Sequence, residues 1–424
     1  MYNQLISYID GCCFNWHSDP ANCFGAPALM EEKHFWDEVD LCDDEDLGAI
    51  IGLARKALSF SQSREEEPNA DFVKYLMDHG FDINASVPGH ECLLIQSAKR
   101  DLSPMMFQKL LDLGIDPYVE NSDGENLLLI AAKKEYDPDE EEERGALARC
   151  LVEHVDLSRI DGPDRYGITP LMYAVMNGHI LLVKTLLDNG ADVNAVGTVP
   201  DGGNGYWIPL DGVSPLALAC RMGEAGIAKL LLEAGADEKL RDNRNRPPIF
   251  SLLRYPHRFQ HSAQKSLPIY KNKQDILAML KEIELTDGEG YTLLMRSMQK
   301  VDDWPDTAAE SYDNLLITQD LLARGANIEA VGNDGKRPLH LAVLTLNAGD
   351  FHKNLIKMGA ELNVQDNDGN TPLHIACRKS TEIMVRYLIK AGADTTIQNN
   401  EGKTAMDLCA ERGFNSAIEL MMEQ

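Results

Sequence analysis

The chain has 424 residues and a formal charge of -28, from 68 acidic against 40 basic residues. That balance repels polyanions, so it argues against nucleic acid and anionic membrane as partners; it fits either a basic protein partner or a plain solvated acidic surface. No apolar run reaches bilayer length, and the opening MYNQLISYIDGCC lacks the basic region and long apolar stretch of a signal peptide, so a soluble cytoplasmic protein is expected.

Residues 1–46 repeat nothing found later in the chain. Cys12, Cys13, His17, Cys23 and His34 fall here without a C-x-x-C pair or another paired spacing, so no metal site is expected. Phe14, Trp16, Phe24, Phe35 and Trp36 read as apolar groups that cover one end of the core built by the later residues. Glu31–Asp46 is strongly acidic, with Lys33 its one basic residue. The nine cysteines of the chain read as reduced core residues; Cys220 and Cys377 both follow a small Ala.

From Leu47 onward a pattern recurs, degenerate at first and clearest at Asp164–Ala195, DRYGITPLMYAVMNGHILLVKTLLDNGADVNA. Gly167 supplies a turn, Thr169 a helix cap, and Pro170 suits the first helical position, where its missing N–H has no partner to lose. Leu171, Ala174 and Val175 form one apolar stripe, and Leu182, Val183, Leu186 and Leu187 a second. Gly190 fits the left-handed residue that closes a helix. Two antiparallel helices in about thirty residues cannot build a core alone, so the unit must stack on copies of itself. Asn367–Asn399 is such a copy: Thr371-Pro372-Leu373 answers Thr169-Pro170-Leu171, and Gly392-Ala393-Asp394 answers Gly190-Ala191-Asp192. These offsets resemble the ankyrin repeat, with its G-x-TPLHxA helix start and GADVN exit. The resemblance implies an all-α solenoid of stacked helix-turn-helix units over residues 47–424, nine to ten in number, with residues 1–46 as a cap.

The glycine spacing shows where the units are padded. Gly369 and Gly402 stand one family period apart, whereas Gly167 to Gly212 and Gly290 to Gly335 are longer. Alignment places the excess at Val199–Pro209 between units, and at Glu135–Gly145, Leu253–Lys273 and Val301–Asn314 between the two helices of their units. The sixth unit, with Pro247-Pro248-Ile249 in place of TPL, is the most eroded; the array is expected to be one continuous solenoid, weakest there. The stretch Arg254–Lys273 is basic and aromatic, but the acidic insert Val301–Asn314 leaves the same edge, so the two are expected to pair with each other rather than with nucleic acid.

No catalytic signature is present. Asp201–Gly205 is glycine-rich but has no helix start directly behind it, and His257/His261 sit beside Pro256 without a neighbouring Glu. The resemblance gives His340 and His374 a structural place in the TPLH position. No cofactor, no metal and no enzyme activity are expected. The resemblance implies a protein-interaction module whose concave face and hairpin tips bind a protein partner, and a monomer outside that complex. Carried over by position, the face comprises Arg165, Tyr166, Ile168, Met176 and Asn177 in the fourth unit, Asp211, Val213, Arg221 and Met222 in the fifth, and Asn367, Asp368, Asn370, Arg378 and Lys379 in the ninth. Tyr206 and Trp207, in the hairpin insert, are either partner anchors or aromatics folded back on the stack. A scaffold, a dedicated inhibitor such as an immunity protein, and an enzyme with its chemistry in the first forty residues are the three readings the sequence leaves open. Asn84, Asn194 and Asn363 at the repeat exits read as turn residues, with hydroxylation an implied alternative.

Overall fold

The computed structural model describes residues 47–48, 50–52, 54–55, 71–86, 91–99, 102–134, 141–197, 212–253, 266–299, 308–344 and 351–423. The chain packs as two compact units, Met1–Val199 and Pro200–Gln424, which part within the insert between the fourth and fifth repeats. Among the described residues the regular elements are helical, with isolated bridges only at Thr286–Thr292 and Gln398–Thr404.

The first unit holds α1 (Asp71–Asp78), α2 (Leu93–Ala98), α3 (Pro104–Asp112), α4 (Leu127–Lys133), α5 (Glu141–His154), α6 (Pro170–Asn177) and α7 (Ile180–Asp188). The first helices of successive repeats stack on one another, α2 on α4 and α4 on α6. The second helices do the same, α3 on α5 and α5 on α7. The second unit follows the same scheme with α8 (Pro215–Met222), α9 (Ala225–Glu233), a 3-10 helix at Pro248–Leu253, α10 (Ser266–Met279), α11 (Leu293–Ser297), α12 (Ala308–Ala323) and α13 (Pro338–Ala342). It continues through α14 (Phe351–Lys357), α15 (Pro372–Lys379), α16 (Glu382–Lys390), α17 (Ala405–Arg412) and α18 (Asn415–Met422).

Many of the helices start at a side-chain cap, although α2 behind Cys92 and α13 behind Arg337 start without such a bond. The Thr169 hydroxyl accepts the Met172 N–H at 3.3 Å, with Pro170 at the first helical position, as the sequence predicts. Ser103, Asn126, Ser214, Thr292, Thr371 and Thr404 cap their helices in the same way, each contributing about 1 kcal/mol. Gly178 ends α6 at φ 75° and Gly190 follows α7 at φ 90°, both left-handed. The stripes of the fourth repeat are buried as expected at Leu171, Ala174, Val175, Leu182, Val183 and Leu186.

The expected insert boundaries are corrected at their C-terminal ends. Residues 141–145, 266–273 and 308–314 are not loop but the first turns of α5, α10 and α12, which run for 14, 14 and 16 residues where α7 has 9. At the first of these starts, EEER at Glu141–Arg144 supplies good helix formers. In the sixth repeat Pro247 and Pro248 remove two donors, and the first helix becomes the 3-10 helix, opened by the Phe250 N–H on the Pro247 carbonyl at 3.1 Å.

His340 and His374 are the buried locks of the eighth and ninth repeats. Each Nδ1 accepts a backbone N–H of its own helix start, from Arg337 at 3.1 Å and from Thr371 at 3.2 Å. Each Nε2 reaches the next hairpin, at the Asn370 carbonyl (3.2 Å) and the Lys403 carbonyl (3.1 Å). Burial pushes both imidazoles below their ordinary value of 6.5. The folded state therefore holds fewer protons than the unfolded chain once the pH drops. The neutral rings contribute fully above about pH 7, and that contribution is lost as the pH falls through the ordinary imidazole value toward the folded one. Hydrogen-exchange protection over residues 338–412, taken relative to the intrinsic exchange rate at each pH, is expected to fall between about pH 7 and pH 5, whereas carrying Gln at both positions should flatten that profile; an equal loss of protection in the double variant would refute it.

Candidate protein-interaction face

Most of the described hairpins between repeats are built on one Asx residue, buried except for the half-buried Asp242, and Gly332 takes that place in the eighth repeat. In the fourth repeat Asp164 Oδ1 accepts the N–H groups of Tyr166 (2.9 Å) and Ile168 (3.0 Å), closing the turn ahead of Gly167. Its Oδ2 accepts the Tyr173 hydroxyl at 2.7 Å and lies 3.2 Å from Lys133 Nζ. Lys133 also pairs with Glu125 and stands over the Tyr173 ring. Asn121, Asp242, Asp287, Asp366 and Asn399 hold the N–H groups two and four residues on in the same pattern.

Two ladders fix hairpin to hairpin. At the helix exits an acceptor from one repeat takes the N–H at the equivalent place of the next. Asn84 takes that of Asp116 (2.7 Å), Asp161 that of Asp192 (2.9 Å) and Glu238 that of Lys281 (2.9 Å). The row continues with Glu284 and Asn327 (2.9 Å), Glu329 and Glu361 (2.9 Å), and Asn363 and Asp394 (2.8 Å). Asn84 and Asn363 are thus structural turn residues with engaged side chains. At the hairpin tips of the second unit an asparagine ladder runs through three repeats. The Asn333 amide donates to the Gly288 carbonyl (3.1 Å), Asn367 to Asn333 (2.9 Å) and Asn400 to Asn367 (2.9 Å). Their backbone N–H groups reach the preceding tip as well, on the carbonyls of Glu289, Asp334 and Asp368.

This ladder presents one carboxylate per tip: Glu289, Asp334, Asp368 and Glu401, exposed or partly so, from four successive hairpins. Basic side chains lean on them from the same repeats. Arg296 pairs with Asp287 and Glu289 and lies over the Tyr291 ring at 4.4 Å, Lys336 pairs with Asp334, and Arg378 pairs with Glu401 at 3.0 Å. The Tyr291 hydroxyl donates to Asp334 at 2.6 Å, and burial followed by that bond pushes the phenol pKa up, so it stays a donor.

The residues expected on the face divide three ways. Arg165, Asn367, Asp368, Arg378 and Lys379 are exposed, and Tyr166 and Val213 are half-buried. Arg165 rests on the Tyr166 ring at 4.8 Å and reaches toward Asp123 of the neighbouring tip at 3.8 Å. Ile168, Met176, Asn177, Arg221, Met222 and Asn370 are buried, which corrects the expectation that they are surface. A neighbouring repeat of the same unit covers each of these positions: the Asn177 amide donates to the Ala132 carbonyl at 2.8 Å, α8 packs along the 3-10 helix, and Asn370 Oδ1 accepts from Asn399 at 3.0 Å. Asp211, Tyr206 and Trp207 lie outside the described residues, as do residues 201–205, His257, His261 and the early Cys and His residues. The expected pairing of the basic and acidic inserts falls largely there too. Where those inserts re-enter as helices, α10 packs on α12, with Gln274 donating to Asp320 at 2.9 Å and Arg324 to the Leu277 and Leu280 carbonyls.

The stacked helix pairs with left-handed glycine exits and hairpin tips held by Asx turns define an ankyrin solenoid. The family of three-copy ankyrin repeats matches residues 94–196 and 339–424, and the single ankyrin repeat matches 211–243. The chain belongs to the ankyrin-repeat family, whose repeats are general protein-interaction modules. It is 28% identical over 182 residues to an ankyrin repeat and KH domain-containing protein of Caenorhabditis briggsae, covering 35% of this chain and 7% of that protein. An ankyrin repeat protein of Rickettsia bellii is 27% identical over 133 residues, 24% of this chain and 39% of that protein. Human Rabankyrin-5 is 27% identical over 196 residues, 44% of this chain and 16% of that protein. The chain thus spans well under half the length of each of these relatives. Among the described residues no helix is long and apolar enough to cross a membrane.

Proposed function

We propose that the chain is a non-catalytic interaction module that holds a basic protein partner along the hairpin tips of its second unit. The row of carboxylates Glu289, Asp334, Asp368 and Glu401 supports this reading, because the asparagine ladder beneath it fixes their spacing before any partner arrives. A preorganised row costs little ordering on binding. The chain's charge of -28 adds long-range attraction for a cation-rich surface. Arg378 and Lys379 at one end would meet the partner's acidic rim, which gives the row a direction. Arg165 and Tyr166 belong to the same reading as a tip contact of the first unit, and Tyr206 and Trp207 as anchors on the insert between the units.

The test is affinity capture with mass spectrometry from the native cell, then binding of the purified partner to the double variant Asp368→Lys, Glu401→Lys. Affinity is expected to fall about tenfold or more and its salt dependence to weaken, with melting unchanged. Equal affinity, or capture of an acidic partner, would overturn the reading. Loss of the partner's own activity on complex formation would identify an inhibitor of the immunity-protein kind, and retained activity a scaffold.

A further inference from the structure

Two thiols in the second unit meet across a repeat boundary. Cys377 lies on α15 and Cys409 on α17, first helices of consecutive repeats that pack on each other, and their sulfurs are 2.6 Å apart. Both residues are fully buried. The contact is framed by further bonds between the same two helices: Arg412 donates to the Arg378 carbonyl at 2.6 Å and to the Ser380 carbonyl at 3.3 Å. The two sulfurs are thus in direct contact, within reach of the ordinary disulfide length of about 2.05 Å. We propose that Cys377 and Cys409 are a redox modification site, joined by two-electron oxidation into a disulfide that staples α15 to α17.

The oxidant is hydrogen peroxide. The Cys409 sulfur attacks one peroxide oxygen, the O–O bond breaks, and the thiol proton leaves with the other oxygen as water. The Cys377 sulfur then attacks the resulting sulfenic sulfur and expels its oxygen, which takes the Cys377 proton and departs as a second water. Two thiols and one peroxide thus become one disulfide and two waters. The balance is the same whichever of the two sulfurs attacks first. Burial sets the rate: peroxide enters when α17 opens locally from α15. Once formed, the bond closes a loop of about thirty residues and restricts the unfolded chain, which stabilises both repeats. Cys377 adjoins Arg378, so the staple also fixes the tip where Arg378 meets Glu401. The staple forms whatever that tip binds.

The native chain is treated with hydrogen peroxide, quenched with N-ethylmaleimide under denaturing conditions, and mapped as non-reduced peptides. A cross-linked peptide holding Cys377 and Cys409, lighter than its two parts by two hydrogens and released by dithiothreitol, is the expected product, with both cysteines inaccessible to the maleimide. Hydrogen exchange over residues 372–412 should slow about tenfold or more on oxidation while the first unit is unchanged. The idea is overturned if both cysteines remain alkylatable after treatment, or if either is recovered instead as sulfinic acid or bonded to another of the nine cysteines. It is overturned equally if the cross-link forms and exchange does not slow.

Discussion

Replacing Asp164 by alanine is expected to destabilise the first unit by about 3–5 kcal/mol, a large share of the total stability of a domain. The carboxylate is buried, with 1% of its side chain exposed, and four groups converge on it: two turn N–H groups, the Tyr173 hydroxyl and Lys133 Nζ. Alanine leaves the Ile168 N–H and the Tyr173 hydroxyl without an acceptor where water has no access. Each such orphan costs about 1–3 kcal/mol, more than the bond itself contributes when made. Tyr173→Phe removes one donor and keeps the turn, so about 1 kcal/mol is expected. Asp164→Asn falls between, because its oxygen can still close the turn but its amide meets the tyrosine hydroxyl and lysine without a negative charge. Urea unfolding followed by hydrogen exchange in residues 102–197 orders the three. A loss for Asp164→Ala no greater than that for Tyr173→Phe would show that the turn closes without its carboxylate.

The helix starts and exits of this fold are written locally, which is why Thr169, Pro170 and Gly190 can be placed from the sequence alone. Local sequence does not say what encloses a first helix. All eight residues of α6 and of α8 are buried, whereas α15 exposes Arg378 and Lys379 at the equivalent end. The difference lies in the neighbour: α8 is covered by the 3-10 helix of an eroded repeat, and Arg378 is drawn outward to Glu401. The family position therefore carries Arg221 and Met222 to a surface that the second unit does not give them. The asparagine ladder leaves a trace in the sequence that helix signals do not reveal. Asn333, Asn367 and Asn400 each stand two residues before a turn glycine, 34 and 33 residues apart, and the repeat of a side chain that the turn itself does not need is the signal. Asp164 is hidden for a different reason, since an Asp at a hairpin reads as solvent-facing until the burial of its carboxylate is seen.

Gly335→Ala is expected to destabilise the second unit by about 3 kcal/mol, and Gly392→Ala by about 1 kcal/mol, although both glycines are left-handed, at φ 78° and 96°. At Gly392 nothing lies within 4 Å of an added Cβ, so only the backbone preference is lost. At Gly335 the same carbon would stand 2.7 Å from the backbone nitrogen of Asn367 and collide with its side-chain oxygen. That asparagine is a rung of the ladder: its N–H donates to the Asp334 carbonyl at 2.9 Å and its amide to the Asn333 carbonyl at 2.9 Å. The side-chain oxygen could swing away, but the backbone nitrogen cannot move without opening the tip. Asparagine in place of each glycine separates the two effects, because it tolerates the left-handed region and still carries a Cβ. Gly392→Asn should be close to neutral, whereas Gly335→Asn should cost nearly as much as the alanine. The readout is hydrogen exchange at residues 332–370 alongside urea unfolding. If Gly335→Asn proves as harmless as Gly392→Asn, backbone preference alone explains these glycines and the close tip-to-tip approach is not what holds the carboxylate row in register.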